Sequence, residues 1–304
     1  MTVSKLNSTA NYIGLSTDTK PRTEAGATFY ETDTKLAYTS NVEGVWELSI
    51  LRPEDARLGR AAGVFSNQSG VHKFGTNPAV GANSTEDIWF GGGAYTGWLT
   101  TADEVRVKAG GDSDDAAAGT GAQKVVVEGL DENWAIASEE LTMNANGTLA
   151  SASSSTTFIR VYRAYISDVG TYGGANTGDV IIETDTSTSV VASIAADKGQ
   201  SQLSMYTVPA GKTAYLTSFE STVDAAKAAD VEMFQRQNAD DATTPFTGKR
   251  LVSGFLQLIG PDTRTFTHYP SFPAKTDIWA QATTGSGAAP AVSVDYDLIL
   301  VDNE

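Results

Sequence analysis

The chain contains no cysteine. Disulfides, thiolate metal sites and cysteine nucleophiles are therefore excluded, and the absence fits folding in a reducing cytoplasm. Histidine is nearly absent as well: only His72 and His268 occur, with no second histidine or cysteine at metal-ligand spacing from either. Both read as structural, and any serine triad would have to use one of them. No Gly-x-Ser-x-Gly elbow is present. Positive charge is scarce, with 21 Lys and Arg against 37 Asp and Glu and a formal net charge of −16. So acidic a surface repels phosphate backbones, and nucleic-acid binding is not expected. No apolar run approaches the roughly 20 residues of a membrane span. Residues 1–13 carry one early lysine and no apolar stretch of the signal-peptide kind, so no membrane partner is expected. No repeat of fixed period is visible, which argues against propellers, solenoids and β-helical depolymerases.

What the chain does have is Thr, Ser, Gly and Ala in abundance, 40% apolar residues and only 19% charged ones among 304. That balance suits many short strands with polar outer faces. Residues 1–25 are polar and Thr-rich, broken by Lys20-Pro21-Arg22, and read as an extended arm. Next comes Gly26-Ala-Thr-Phe-Tyr-Glu-Thr-Asp-Thr-Lys-Leu-Ala-Tyr-Thr-Ser-Asn-Val-Glu-Gly-Val-Trp46. Two runs, 27–32 and 35–39, are joined by Asp33-Thr34, and a second turn at Glu43-Gly44 leads to Val45–Leu48. Alternating aromatic and polar residues around tight turns predict a small β-meander with one apolar face. Arg52-Pro53-Glu54-Asp55 opens one or two helical turns, which Gly59 and Gly63 end. Arg52, Arg57 and Arg60 form a local basic cluster in an acidic chain, readable as a docking point or as a solvated helix face.

Residues 61–100 are rich in Gly, Asn and aromatics. Gly91-Gly-Gly93 is not followed by Gly-Lys-Ser/Thr, so it is no phosphate loop; it reads as close backbone packing beside Trp89, Tyr95 and Trp98. Those three aromatics are also candidates for a ligand platform. Strands are expected at 104–109, 124–128, 135–143, 158–166, 179–184 and 190–195, then on both sides of Pro209-Ala-Gly211. Further strands are expected at 231–237, 250–259, 263–269, 277–281 and 292–301. Asn146-Gly147 predicts a hairpin joining 135–143 to 148–151, and 225–229 reads as a hairpin connection too short for a helix. Asp112-Ser-Asp-Asp115 and Asp240-Asp241 are oxygen-rich but lack the EF-hand spacing and read as solvated turns. The expected fold is all-β: an antiparallel β-sandwich, jelly-roll-like, preceded by the arm and meander. The expected organisation is an anchor over 1–52, a connecting helix turn and Gly/aromatic-rich segment over 53–100, and a sandwich region with room for two subdomains over 101–304.

The Gly26–Trp46 segment resembles the G-x-x-x-[YF]-E-T-D-T … W module of tailed-bacteriophage virion proteins. Four further stretches resemble structural proteins of tailed phages, marine ones especially: Phe74–Tyr95, Phe158–Ala164, Tyr206–Leu216 and Leu298–Asn303. The resemblance runs from about residue 26 to the C-terminus and implies a non-enzymatic virion component, made in the host cytoplasm and exposed on the particle surface. It carries no catalytic residues, metal or cofactor. Three readings stay open. One is a capsid-bound decoration or head-fibre protein, with arm and meander gripping the major capsid protein through Phe29, Tyr30, Tyr38, Trp46, Arg52, Arg57 and Arg60. The second is a tail-associated fibre, collar or receptor-binding protein. The third is a glycan-binding or glycan-cleaving protein, supported by the aromatics Trp89, Tyr95, Trp98 and Trp134; two carboxylates would suffice for cleavage, and 37 acids leave that open. A homotrimer is expected, because projecting sandwiches close their edges against symmetry mates.

Overall fold

The computed structural model describes residues 10–34, 36–49, 53–63, 65, 67–224, 227–287 and 289–303, with side chains of 53–56 set aside. The chain divides into two compact units, Met1–Ser66 and Asn67–Glu304.

The first unit is a four-stranded sheet in the order β1(Asn11–Gly14), β2(Thr28–Glu31), β3(Ala37–Ser40), β4(Trp46–Leu48), followed by helix α1(Pro53–Ala61). β2, β3 and β4 form the expected antiparallel meander. The arm differs from expectation over its described part. β1 pairs parallel with β2, Asn11 beside Thr28 through Gly14 beside Glu31, and residues 15–27 make the long return that a parallel pair requires. Polar side chains fix that return: the Ser16 amide and hydroxyl donate to Asp33, Lys20 Nζ meets Glu31 Oε1 at 2.6 Å, and Trp46 Nε1 donates to the Pro21 carbonyl at 2.8 Å. Thr-rich sequence reads as free arm because its partners lie elsewhere in the chain.

The second unit contains β5(Gln68–Asn77), β6(Thr85–Asp87), β7(Asp103–Ala109), β8(Ala122–Asp131), β9(Ile136–Thr142), β10(Thr157–Val169), β11(Val180–Thr184) and β12(Val190–Ile194). It continues with β13(Tyr206–Thr207), β14(Lys212–Val223), β15(Ala229–Arg236), β16(Arg250–Leu258), β17(Gly260–Thr265), β18(Ser271–Phe272), β19(Asp277–Thr284) and β20(Val292–Asp302). One sheet runs β5-β20-β14-β17, and a second runs β6-β19-β15-β16. Numbered in chain order, these eight strands lie 1-8-3-6 in one sheet and 2-7-4-5 in the other, which is jelly-roll topology. The all-β sandwich expectation therefore holds, and the topology is a jelly roll.

The core between the two sheets mixes aliphatic and aromatic side chains, with Leu216, Phe219, Val231, Met233, Phe272, Ile278, Val294 and Tyr296 among its buried members. Each such side chain contributes about 1.5–3 kcal/mol by leaving water.

The jelly roll does not begin after residue 100. Its first two strands, β5 and β6, lie in the segment expected to be a connector. β5 pairs with β20 from Gln68–Val301 to Asn77–Val292. Val71 packs on the jelly-roll core, but the next inward positions hold Lys73, Gly75 and Asn77 rather than aliphatics, which hides the period. Gly75 is needed there, since a Cβ would lie 2.5 Å from the Ser204 amide nitrogen and 2.7 Å from the Ile88 carbonyl.

The chain between β6 and β13 is an insertion. β6 and β13 occupy the same side of β19, Asp87 opposite Gln281 and Tyr206 opposite Ile278, so together they form one edge strand that the insertion interrupts. The inserted sheet runs β12-β11-β7-β10-β8-β9. It covers the outer face of the β19–β15 sheet: Met233 and Ile278 point into the jelly-roll core, while Phe234 and Trp279 join the core of the insertion. The result is three layers, in which β19 and β15 of the middle sheet are covered on both sides while the outer face of β16 is left open.

Two expected connections differ. β9 pairs with β8, from Lys124–Thr142 to Leu130–Ile136, and not with 148–151. The turn is built by Asp131, whose carboxylate accepts the amides of Asn133 and Ala135, and by Trp134 in the left-handed region at φ 62°. Asn146-Gly147 lies in a loop instead. The 225–229 segment, of which 225 and 226 fall outside the described residues, joins β14 and β15 in opposite sheets and is not a hairpin.

Candidate functional site

In the first unit the proposed anchoring residues separate by face. Phe29 is buried, and Trp46 meets it edge-on at 5.8 Å between ring centres and Tyr12 at 6.0 Å. Lys20 sits over the Phe29 and Tyr38 rings. Phe29, Tyr38 and Trp46 are thus the small core of this sheet, and the return segment covers them. Burial alone would raise the Glu31 pKa, but its bonds to Lys20 and Thr34 and the Lys20 charge hold it below the usual carboxylate range.

The opposite face is open. Tyr30 is 41% exposed and lies in register beside Ile13, which is 71% exposed; Ala37 follows Tyr30 across β3. Ile13 was not among the expected residues, since a lone isoleucine in a polar segment carries no signal until β1 is placed against β2. Leu58 on α1 is exposed beside Arg57, and Arg60 is partly buried. Arg52 lies outside the described residues.

Trp89, Tyr95 and Trp98 do not form an open platform. They join Trp279 and Phe234 in a continuous edge-to-face and tilted chain, with centroid spacings of 5.3, 5.1, 5.6 and 5.9 Å. Trp89 and Tyr95 are both 5% exposed. The Tyr95 hydroxyl donates to the Val191 carbonyl at 2.8 Å, and burial pushes its pKa well up. Gly91 packs where a Cβ would strike the Trp89 ring at 2.3 Å, so it serves close packing as expected, whereas Gly92 and Gly93 have room for a Cβ and instead supply left-handed backbone at φ 63° and 64°. The cluster lies between the jelly roll and the insertion, and its ring faces are used in the core.

Beneath it, Arg160 of β10 reaches across to β19. Its Nε and Nη2 each lie 3.0 Å from one Asp277 oxygen, and its Nη1 donates to the Leu99 carbonyl at 2.6 Å. The guanidinium carbon sits 5.3 Å from the Trp98 ring centre and 5.0 Å from that of Trp134, within cation–π range. Sequence reading missed this pair, because its partners stand far apart in the chain.

The remaining polar candidates also have structural tasks. Asp115 is fully buried, accepting backbone amides from Ala122, Thr177 and Gly178. His72 is exposed, with Nδ1 2.8 Å from Asp297 and Nε2 3.7 Å from Asp295. His268 is exposed after β17.

No protein-family model and no curated protein matches the chain. Among solved structures it is similar to a mutant VP2 protein of infectious bursal disease virus in derived T=1 particles, at 9% identity over 78% of this chain and 74% of that one, with a TM-score of 0.20. It is likewise similar to the VP2 subviral particle of the same virus, at 9% identity over 78% and 76%, with a TM-score of 0.17. TM-scores this low carry no argument, and the topology above rests on strand order alone.

Proposed function

We propose that this chain is a non-enzymatic structural protein of a phage particle, a capsid-bound decoration or head-fibre protein held by its first unit, with the jelly roll displayed at the surface. The observation that carries the reading is the jelly-roll strand order, an arrangement recurrent in viral capsid proteins. A fold hosts many functions, so the virion part of the reading leans on the Gly26–Trp46 resemblance. The docking part leans on the Ile13–Tyr30–Ala37 row, apolar and open on a sheet whose other face is already covered. The partner that fits this row is an apolar patch or sheet surface of the major capsid protein or another virion protein. Many weak copies on a lattice need little affinity each. Trp89, Tyr95 and Trp98 are packed against one another and against Trp279, so they do not support the glycan-platform alternative. A tail-associated position shares the same module and is separated by stoichiometry.

Quantitative mass spectrometry of purified particles against the major capsid protein tests this. Copies in a fixed ratio to the capsid lattice are expected. A few copies per particle would move the protein to the tail or a unique vertex, and absence from particles would overturn the reading.

A further inference from the structure

One concavity of the second unit holds more cation than its surroundings neutralise. A cleft of about 320 Å³ opens between β5 and the inserted sheet, lined by Lys73, Phe74, Glu128, Tyr162, Arg163 and Gln200 among others. Lys73 stands at an inward position of β5 and is 7% exposed. Its amine donates to the Tyr162 carbonyl and makes no ion pair among the described residues. Arg163 follows Tyr162 on β10. Its Nη2 donates to Gln200 at 2.9 Å and its Nη1 reaches Glu128 only at 3.4 Å, while its buried Nε has no hydrogen-bond partner among the described residues. Two cations thus face one carboxylate, in a chain whose net charge is −16. The Arg163 side chain is 43% exposed, so Lys73 is the buried charge here, and buried charge is normally paired.

We infer that this cleft binds a small anion, a carboxylate or phosphate group on a body no larger than a monosaccharide, held between the Lys73 ammonium and the Arg163 guanidinium. Val71, on the same face of β5 as Lys73, and Tyr162 supply an apolar wall for the body of the ligand, and the volume is at the low end for ligand sites. The inference stands independently of the virion reading.

The site has a built-in pH dependence. Burial, with Arg163 adding repulsion and Glu128 opposing it, lowers the Lys73 pKa to about 7. The other groups facing it stay neutral through that range: burial pushes Tyr162 up to about 12 and Tyr206 of β13 well up. His72, next to Lys73 on β5, is turned to Asp297 and Asp295 of β20. A bound anion favours the charged amine, so binding takes up a proton and affinity falls as pH rises through about 7.

Isothermal titration of the full chain with inorganic phosphate, glucuronate and uncharged glucose tests this. One anion per chain should bind at about pH 6, and glucose should not. Glucuronate keeps its charge over the range, and its affinity should fall about tenfold or more by about pH 8.5. Lys73→Met keeps the apolar stem and should abolish binding while unfolding as cooperatively as the parent; Arg163→Gln should weaken it. Tighter phosphate than glucuronate names a phosphate site, and the reverse names an acidic-sugar site. Neither anion binding at about pH 6, or Lys73→Met binding like the parent, overturns the inference.

Discussion

Arg160 shows what a single side chain does in this protein. It is 3% exposed: its Nε–Nη2 fork takes Asp277, its Nη1 donates to the Leu99 carbonyl, and the rings of Trp98 and Trp134 lie within cation–π range of the guanidinium. Thr207 adds a third bond to Asp277 at 2.6 Å. Removing one member of such a pair leaves the other buried and uncompensated, which costs about 3–5 kcal/mol. Arg160→Met should lower the urea unfolding midpoint accordingly, and adding Asp277→Asn should recover a good part of the loss. A single variant as stable as the parent would show that the pair is not needed. Glu183 offers a titration counterpart. Burial raises its pKa, but hydrogen bonds and charge from Lys108 and Arg106 on the adjacent strand hold it below the usual carboxylate range. A carboxylate lowered on folding stabilises above its unfolded pKa, and that contribution is lost as pH falls through the folded value. Glu183→Gln should therefore lose about 1–3 kcal/mol at neutral pH and show a flatter decline as pH falls below the ordinary glutamate value of 4.5. Paired acid titrations followed by circular dichroism read both effects, and parallel curves would remove Glu183 from the account.

At the scale of elements, the interrupted edge strand governs the second unit. Trp89 and Leu203 form an antiparallel bridge at the mouth of the insertion, so the chain leaves and returns side by side. A two-residue turn can close such a pair. Replacing residues 90–202 by Gly-Gly should leave a jelly roll whose middle sheet exposes Phe234 and Trp279. With Phe234→Thr and Trp279→Thr added, the excised chain should unfold cooperatively with a β-rich spectrum. Without them it should self-associate through the new apolar patch. A substituted chain that fails to fold would mean that the insertion is required by the jelly roll. This architecture explains what sequence could and could not show. Alternation was legible wherever one face is apolar, as in Val105-Arg106-Val107 or Val292–Tyr296. It failed at β5, where Lys73 takes an inward position against Tyr162 of the insertion, Gly75 against the Ile88 and Ser204 backbone, and Asn77 against Glu86 and Asp87 of β6. Asn146-Gly147 misled because a local turn signal was outweighed by the Asp131–Trp134 turn and the long β8–β10 register. The aromatic cluster was legible as composition, but its burial depended on Phe234 and Trp279, far along the chain.

At the scale of the whole molecule, the expectation of a homotrimer bears on the free edges of the jelly roll. β16 is the outermost strand of one jelly-roll sheet, β17 is outermost in the other, and the two are consecutive in the chain. β17 is guarded in the manner of natural edge strands: Pro261 lacks a donor, and Asp262 and Arg264 place charge on it. Arg264 also bonds Ser253 at 3.0 Å and covers the Phe255 ring. β16 lacks such protection, with Leu251 58%, Leu256 71% and, just beyond, Ile259 58% exposed. An unguarded edge beside a guarded one favours a contact between unlike surfaces, β16 of one copy against another face of the next, and a contact of that kind stays finite only if the rotation closes into a ring. The expected ring is a trimer. Light scattering of the full chain should give a trimer mass, and Leu251→Lys with Leu256→Lys should give monomers that still unfold cooperatively. Charges at these two positions add repulsion where the apolar contact was, while leaving both cores untouched, so a folded monomer would locate the interface on β16. A double variant that stays trimeric would move the interface elsewhere, and a parent that is monomeric at all concentrations would remove the trimer altogether.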